Sequence, residues 1–131
     1  MSLDLKESEF FKQKRAGVLL PLFSMRSAGD WGCGDMGSLK EWIEYLSGYG
    51  VSILQILPIH ETEPGQNCPY SALSAYAIDP IYISINDVSD VAASQQAQDL
   101  IKQYGEEIKF WRSEKKVFYR FIKSAKYKVL W

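Results

Sequence analysis

The chain has 131 residues, of which 47% are hydrophobic and 24% are charged, and its formal net charge is −1. This length and composition are typical of one globular domain with a core of its own, and they exclude a disordered chain. The near-zero charge gives no whole-chain reason to expect nucleic acid or an anionic membrane as a partner, and no apolar run approaches the roughly 20 residues of a membrane span.

The first residues, MSLDLKESEFFKQKR, are polar and mixed in charge. They lack the apolar stretch of a secretory signal, so a cytoplasmic location is expected. We predict an exposed lead-in over residues 1–14, with a helical turn near Phe10 and Phe11. Cys33 and Cys68 match no metal or redox spacing and are expected to be free thiols.

Three apolar runs have the length of β-strands. Residues 17–23 and 51–59 are nearly continuous apolar runs, which favours strands buried on both faces, as in a parallel sheet. Pro21 indicates an end or an irregularity in the first of them. Residues 78–85 alternate in polarity and are expected to form a short strand or an extended edge segment.

A helix is predicted between the first two strands. Ser38 is a candidate N-cap, because Glu41 three residues later would complete a capping box, and Gly48 or Gly50 would end the helix. Strand, helix and strand joined by short links form a βαβ unit, which places the two strands parallel in one sheet.

Residues 92–131 are predicted to be helical, in two pieces that meet near Tyr104 or near Ser113. The second piece has one apolar face, formed by Val117, Phe118, Phe121, Ile122, Ala125 and Val129. We therefore divide one domain, residues 1–131, into a lead-in (1–14), a βαβ unit with a long loop (15–88) and a helical segment (89–131).

The last 23 residues are strongly basic. Their cations are Lys109, Arg112, Lys115, Lys116, Arg120, Lys123, Lys126 and Lys128. A basic helix with interleaved aromatics can bind a polyanion or a membrane surface. Here the aromatic residues fall on the apolar face, which favours a docked helix with its cations on a solvated outer side, so no nucleic acid or membrane partner is expected.

Two loops contain the side chains suited to a polyhydroxylated ligand. Residues 24–37 and 59–77 follow the first two strands, and in an α/β barrel such loops form the active face. Planar hydrogen-bonding groups and aromatic faces are supplied by Asp30, Trp31, Asp35, His60, Glu61, Asn67, Tyr70, Tyr76 and Asp79.

A series of short motifs in these segments resembles one protein family. Leu57-Pro58, residues 68–71 (CPYS), residues 74–77 (SAYA) and Asp79-Pro80 occur in this order, preceded by residues 15–24 (RAGVLLPLFS) and residues 32–35 (GCGD). Together they resemble the start of the 4-α-glucanotransferases called amylomaltases or disproportionating enzymes. The resemblance covers about residues 14–88 and is weaker from 117 to 130.

The resemblance implies the N-terminal part of a (β/α)8 TIM-type barrel, incomplete within 131 residues and followed by a helical insertion. It also implies transfer of α-1,4-glucan segments between maltooligosaccharides by a retaining double displacement, without a metal or organic cofactor. That chemistry needs two opposed carboxyl groups. No position here matches the family's catalytic pair, so the chain alone is expected to be inactive, and its unpaired strand edges favour self-association.

The resemblance implies substrate binding rather than catalysis for the matched residues. Tyr70 corresponds to the family's acceptor-side tyrosine, next to Ser71. Cys68 stands where the family has serine, so a weak thiol donor replaces a hydroxyl. His60 follows the second strand and is a candidate pocket residue.

Other residues of the same loop are expected to have no direct role. Glu61 and Glu63 lie too close in sequence to oppose each other across a glycosidic bond. Asp79 is expected to hold backbone amides at a turn. The family's secondary glucan contact would fall on Pro64 or Gly65, neither of them aromatic. Two alternatives to a glucanotransferase stay open: a non-catalytic glucan-binding or interaction module, and a basic-helix polyanion binder.

Overall fold

The structure is a computed structural model that describes residues 12–63, 65–66 and 68–131. The predicted helical turn at Phe10 and Phe11 therefore lies outside the described residues. In chain order the strands and α-helices are β1 (Ala16–Leu20), α1 (Met36–Gly48), β2 (Val51–Ile56), α2 (Ser89–Ala93), α3 (Gln95–Gln103), α4 (Gly105–Ser113) and α5 (Tyr119–Leu130). Short 3-10 helices lie at Leu22–Ser24, Pro80–Tyr82 and Ile85–Asp87.

β1 and β2 form a parallel pair, which confirms the predicted βαβ unit. Their register runs from Gly17 opposite Ile53 to Leu20 opposite Ile56. Both strands are shorter than predicted. β1 stops before Pro21, which has no N–H for a strand ladder, and the chain then turns into a 3-10 helix.

The prediction that the strands are buried on both faces is wrong for the described residues. The side chains of β1 and β2 are at most half-buried, and Leu19 is 53% exposed. α1 packs against β2. The apolar runs therefore belong to strands whose side chains stay partly exposed in the described residues.

The N-cap of α1 is Asp35, and the predicted cap Ser38 is wrong. The Asp35 carboxylate accepts a hydrogen bond from the Ser38 backbone N–H at 3.1 Å and from its Oγ at 3.2 Å. A carboxylate is favoured at this position because it also interacts with the positive end of the helix dipole. The helix ends at Gly48 as predicted, and Gly50 then adopts a φ of +78°.

Residues 78–85 form neither a strand nor an extended edge segment. Asp79 caps the 3-10 helix at Pro80–Tyr82 through a 3.0 Å hydrogen bond from the Ile81 N–H, and the Ile83 N–H donates to the Pro80 carbonyl. Ile78 makes only an isolated antiparallel bridge, to His60. The proline fixes φ near the helical value, which overrides the alternating pattern.

The C-terminal segment contains four helices instead of two. Both predicted break points, near Tyr104 and near Ser113, separate helices, and Ser94 forms a further break by capping α3 through the Ala97 N–H. The helical nature of this segment is confirmed. No helix in the described residues has the length and apolar character needed to cross a lipid bilayer.

The core lies between the segment after β1, the 3-10 turns and the C-terminal helices. Its buried hydrophobic residues are Leu22, Met25, Trp31, Cys33, Ile81, Tyr82, Ile85, Val91, Ala97, Trp111, Ile122, Ala125 and Val129. In α5 the predicted apolar face is confirmed at Ile122, Ala125 and Val129. Phe121 is 61% exposed, because it lies about 100° around the helix from Ile122.

Candidate functional site

The described residues between 57 and 79, which we call the ribbon, leave the C-terminal end of β2 and return as two antiparallel arms. Bridges join His60 to Ile78 and Thr62 to Ala72. At the base the Asp79 N–H donates to the Ile59 carbonyl at 3.0 Å, and farther out the Leu73 N–H donates to the Glu61 carbonyl at 2.8 Å. The ribbon therefore forms a projection at the strand end where barrel enzymes bind substrate.

Tyr70 lies near the tip of the ribbon. The Ser71 N–H donates to the Cys68 carbonyl at 3.0 Å, so residues 68–71 form a turn. Tyr70 is 73% exposed, and Cys68 and Ser71 are exposed beside it. The structure thus brings three of the four predicted site residues into one accessible turn.

His60 lies at the other end of the ribbon. It is half-buried in its bridge with Ile78, next to the end of β2. This is the strand-end position expected from the sequence. Its place at the base separates it along the ribbon from the Tyr70 turn.

Four of the polar and aromatic side chains that follow the first two strands are buried: Asp30 is 1% exposed, Asp35 2%, Trp31 4% and Asp79 6%. Asp30 shows why. Its carboxylate accepts from the Ser27 and Gly32 backbone N–H groups, both at 2.7 Å, and pairs with Arg26 at 2.9 Å. Burial opposes its charge, but these hydrogen bonds outweigh it and hold the pKa of Asp30 below its usual value. These acids organise the loops rather than contact solvent.

Lys123 of α5 binds the ribbon through two carboxylates. Its Nζ lies 2.8 Å from Glu61 Oε1 and 3.0 Å from Asp79 Oδ2. Partial burial opposes the ammonium charge, but the hydrogen bonds to Glu61 and Asp79 outweigh it, so the pKa of Lys123 is raised. Asp79 thus has the structural role predicted for it. Glu61 is engaged by a cation, as is consistent with the expectation that it has no catalytic role.

Lys126, one helical turn later, is fully buried. Its Nζ donates to the Ile81 carbonyl at 2.7 Å and the Ile83 carbonyl at 2.6 Å, and lies 3.2 Å from Asp35 Oδ2. Burial lowers the pKa of Lys126, and the Asp35 carboxylate opposes this. The ammonium links α5, the N-terminus of α1 and the 3-10 segment.

The prediction that the basic residues of α5 lie on a solvated outer side is wrong for these two lysines. The signal that identifies Lys126 is its spacing, since it is four residues after Ile122 and three before Val129 on the buried stripe. Its partners lie 43 to 91 residues away in sequence, a separation that spacing on one helix does not reveal.

A groove of about 810 Å³ runs between the ribbon and α5. The ribbon contributes Glu61 and Leu73, and α5 contributes Arg120, Lys123 and Tyr127. The walls therefore combine charged groups of both signs with aromatic and aliphatic faces. Such a mixture suits a ligand with both hydroxyl and C–H surfaces.

The two cysteines lie in opposite environments, and both are free, as predicted. Burial raises the pKa of the Cys33 thiol to about 12. That thiol stays protonated at neutral pH and acts as a core side chain. Cys68 is exposed in the Tyr70 turn. In the described residues no group of three His, Cys, Asp or Glu side chains has an arrangement suited to a metal ion.

Comparisons with known proteins agree with one another. A sequence profile described as 4-alpha-glucanotransferase matches residues 20–131. The 4-alpha-glucanotransferase DPE2 of Oryza sativa subsp. japonica is 36% identical over 90 residues, which are 66% of this chain and 9% of the relative. The 4-alpha-glucanotransferase of Chlamydia caviae is 35% identical over 69 residues, which are 53% of this chain and 13% of the relative.

A solved structure gives the same result. The crystal structure of amylomaltase from Corynebacterium glutamicum matches with a TM-score of 0.78 and 27% sequence identity, over 88% of this chain and 17% of that chain. The chain therefore spans only a small part of the length of its relatives. The profile match runs from the last residue of β1 through α1 and β2 to the C-terminal helices. This chain belongs to the 4-alpha-glucanotransferase family.

Proposed function

We propose that the chain is the N-terminal part of a cytoplasmic 4-α-glucanotransferase. This enzyme transfers α-1,4-glucan segments between maltooligosaccharides by a retaining double displacement. The observation that carries this proposal is the family match over residues 20–131, which includes the ribbon and α5. Retaining transfer needs a nucleophilic carboxylate and an acid/base carboxyl group about 5 Å apart. No position of this chain matches the family's catalytic pair, so this chain is expected to bind glucan without turnover.

In this proposal β1, α1 and β2 are the first units of a (β/α)8 barrel. Residues 1–14 are a lead-in, residues 15–88 the βαβ unit with the ribbon, and residues 89–131 a helical insertion. The parallel pairing of β1 with β2 supports this assignment, since barrel strands are all parallel. The half-exposed face of the sheet fits packing against further strands and helices.

Tyr70 is the proposed acceptor-side contact. Its ring is 73% exposed at the ribbon tip, where it can stack on the C–H face of a glucose unit while its hydroxyl bonds to the sugar. Ser71 and Cys68 flank it in the same turn, and His60 lies at the ribbon base. Cys68 offers only a weak donor where the family has a serine hydroxyl.

Calorimetric titration with maltoheptaose tests the binding role. Tyr70→Ala is expected to weaken binding by about fivefold to tenfold, through loss of an aromatic platform. Tyr49→Ala is the matched control, because Tyr49 is 74% exposed but lies at the end of α1 outside the ribbon, and it is expected to leave the affinity unchanged. Equal affinity of the Tyr70→Ala variant and the wild type, or no binding by the wild type, would overturn the proposal.

Product analysis tests the reaction. After incubation with maltotriose, chromatography is expected to show unchanged substrate for this chain. Glucose together with longer oligomers would show transfer by this chain and contradict its expected inactivity. Glucose without chain lengthening would indicate a hydrolase. A non-catalytic glucan-binding module also binds without turnover, and the coding sequence downstream of Trp131 separates the two: the transferase proposal expects it to encode further barrel strands.

A further inference from the structure

One cation of α5 holds both arms of the ribbon. Lys123 Nζ is 2.8 Å from Glu61 Oε1, on the outgoing arm, and 3.0 Å from Asp79 Oδ2, on the returning arm. Glu61 is 62 residues from Lys123 in sequence and Asp79 is 44 residues away. These are therefore tertiary contacts, made where the two arms approach the body of the molecule.

The backbone hydrogen bonds of the ribbon have a different effect. The N–H groups of Glu61, Leu73 and Asp79 donate to the carbonyls of Ala77, Glu61 and Ile59, all of them ribbon residues. These bonds keep the arms together, but they do not set the direction in which the ribbon points. The two bonds to Lys123 join the ribbon to α5 and supply that direction.

The helix that carries Lys123 is itself fixed. Three residues later, the buried Lys126 ammonium bonds to Asp35, Ile81 and Ile83. Ile122, next to Lys123, has no exposed surface and belongs to the core. Lys123 is thus mounted on a rigid element, as precise positioning of a binding loop requires.

Charge makes this contact sensitive to substitution. Glu61 and Asp79 both lie within 3.0 Å of the same nitrogen, so their carboxylates are near each other. The side chains of Lys123 and Asp79 are 25% and 9% exposed, which limits screening by solvent. Without the ammonium, the two carboxylates would repel each other, which weakens the hydrogen bonds between the arms, and the ribbon would lose its bonds to α5.

We propose that Lys123 is a positioning residue that orients the ribbon, and with it Tyr70, for glucan binding. The glucan part of this proposal rests on the proposed function. The orientation of the ribbon is a property of the free protein, and it is tested without any ligand.

Amide hydrogen exchange followed by NMR provides that test. In Lys123→Met, which keeps the aliphatic stem, exchange at the Glu61, Leu73 and Asp79 amides is expected to be about tenfold faster than in the wild type, because two charge-assisted hydrogen bonds are lost. Amides of β1 and β2 are expected to be unchanged. Lys128→Met removes the same charge from an exposed position of α5 and is expected to leave all these rates unchanged.

Two more variants separate orientation from general stability. Lys123→Arg keeps the charge and is expected to restore most of the protection. Glu61→Gln leaves Asp79 paired and is expected to accelerate exchange at Glu61 and Leu73 more than at Asp79; it also gives a readout if Lys123→Met does not fold. Wild-type exchange at the three amides in both Lys123→Met and Glu61→Gln, or equal acceleration in the ribbon and the sheet, would overturn the proposal.

Maltoheptaose titration then links orientation to binding. Lys123→Met is expected to weaken the affinity by about threefold to tenfold, with Lys123→Arg intermediate and Lys128→Met equal to the wild type. Faster ribbon exchange with unchanged affinity would overturn the link to glucan. No binding by the wild type would instead overturn the proposed function, while the exchange rates would still decide whether Lys123 orients the ribbon.

Discussion

Lys126 shows how a charged side chain is accommodated in the core. An ammonium group has three N–H donors, and all three have acceptors here: the Asp35 carboxylate and the carbonyls of Ile81 and Ile83. The charge of the Asp35 carboxylate and the dipoles of the two carbonyl groups replace the hydration that the ammonium group loses on burial. In the described residues every buried side-chain nitrogen or oxygen has a hydrogen-bond partner. The arrangement is therefore complete, and loss of one member leaves the others unpaired.

We predict that Lys126→Met lowers the free energy of unfolding by about 3–5 kcal/mol, the usual cost of leaving a buried charge without its partner. The methionine side chain fills much of the same space, so the loss arises mainly from the unpaired Asp35 carboxylate and the two free carbonyls. Urea unfolding followed by tryptophan fluorescence measures it. Lys128→Met, at an exposed position of the same helix, is expected to change stability by no more than about 0.5 kcal/mol.

A double variant tests the reason for that loss. Asp35→Asn keeps a side-chain oxygen for capping α1 but removes the charge. The double variant Lys126→Met, Asp35→Asn is therefore expected to be more stable than Lys126→Met alone, because no uncompensated carboxylate remains in the core. Additive destabilisation by the two substitutions would show that the ion pair is not the source of the effect.

At the scale of elements, the loop between β1 and α1 is shaped by the close approach of its backbone to the preceding 3-10 turn. The Gly34 N–H donates to the Phe23 carbonyl at 3.0 Å. A Cβ atom on Gly34 would come closer than 3.0 Å to the carbonyl oxygens of Leu22 and Met25. Backbone atoms cannot move aside as the end of a flexible side chain can. Only glycine fits at this crossing.

Gly34→Ala is accordingly predicted to destabilise the protein by at least about 2 kcal/mol, because the added methyl group forces the loop away from the turn. Thermal unfolding followed by circular dichroism measures the change. Gly48→Ala is the matched control, since a Cβ there meets nothing within 4 Å and Gly48 is the last residue of α1. It is expected to stabilise by about 0.5–1 kcal/mol through helix propensity. Equal effects of the two substitutions would contradict the steric argument.

The sequence predicts those elements whose signals are local. Apolar runs locate β1 and β2, Pro21 marks the end of β1, and Gly48 marks the end of α1. Residues 78–85 are predicted wrongly because alternation of Ile with polar residues gives the period of a strand. Pro80 and the Asp79 cap bend that segment into 3-10 turns instead. Local backbone chemistry outweighs periodicity there.

The candidate site is predictable only in part. The motif around Tyr70 locates an accessible turn, which the structure places at the ribbon tip. Spacing alone does not reveal that Asp79 and Asp35 are occupied by lysines of α5, because those pairs span 44 and 91 residues. A basic residue on a helix usually points to solvent, and only its coincidence with the apolar stripe distinguishes Lys126.

On the scale of the whole molecule, α5 connects parts of the chain that are far apart in sequence. Its apolar stripe packs in the core, Lys126 holds the start of α1 and the segment 81–83, and Lys123 holds the ribbon. The β1–β2 sheet, in contrast, has few such connections to distant parts of the chain. In the described part of the chain it has two strands only, so each keeps one edge without a strand partner.

This open sheet leads to a prediction about association. An apolar strand with an unpaired edge is a template for pairing with another chain. We expect the average mass in sedimentation equilibrium to rise above the 15.0 kDa of one chain as concentration increases. Leu19→Lys is expected to suppress this rise, because Leu19 is 53% exposed within β1 and a charge there opposes edge pairing.

Ile43→Lys supplies the control for this effect. Ile43 is 51% exposed but lies on α1, so the substitution adds the same charge and removes a similar apolar surface away from the sheet. If association proceeds through the sheet, Ile43→Lys should associate like the wild type while Leu19→Lys stays close to the mass of one chain. Equal suppression by both variants would mean that net charge controls association. A wild type that stays at 15.0 kDa at every concentration would mean that the unpaired edges of the sheet do not pair with another chain.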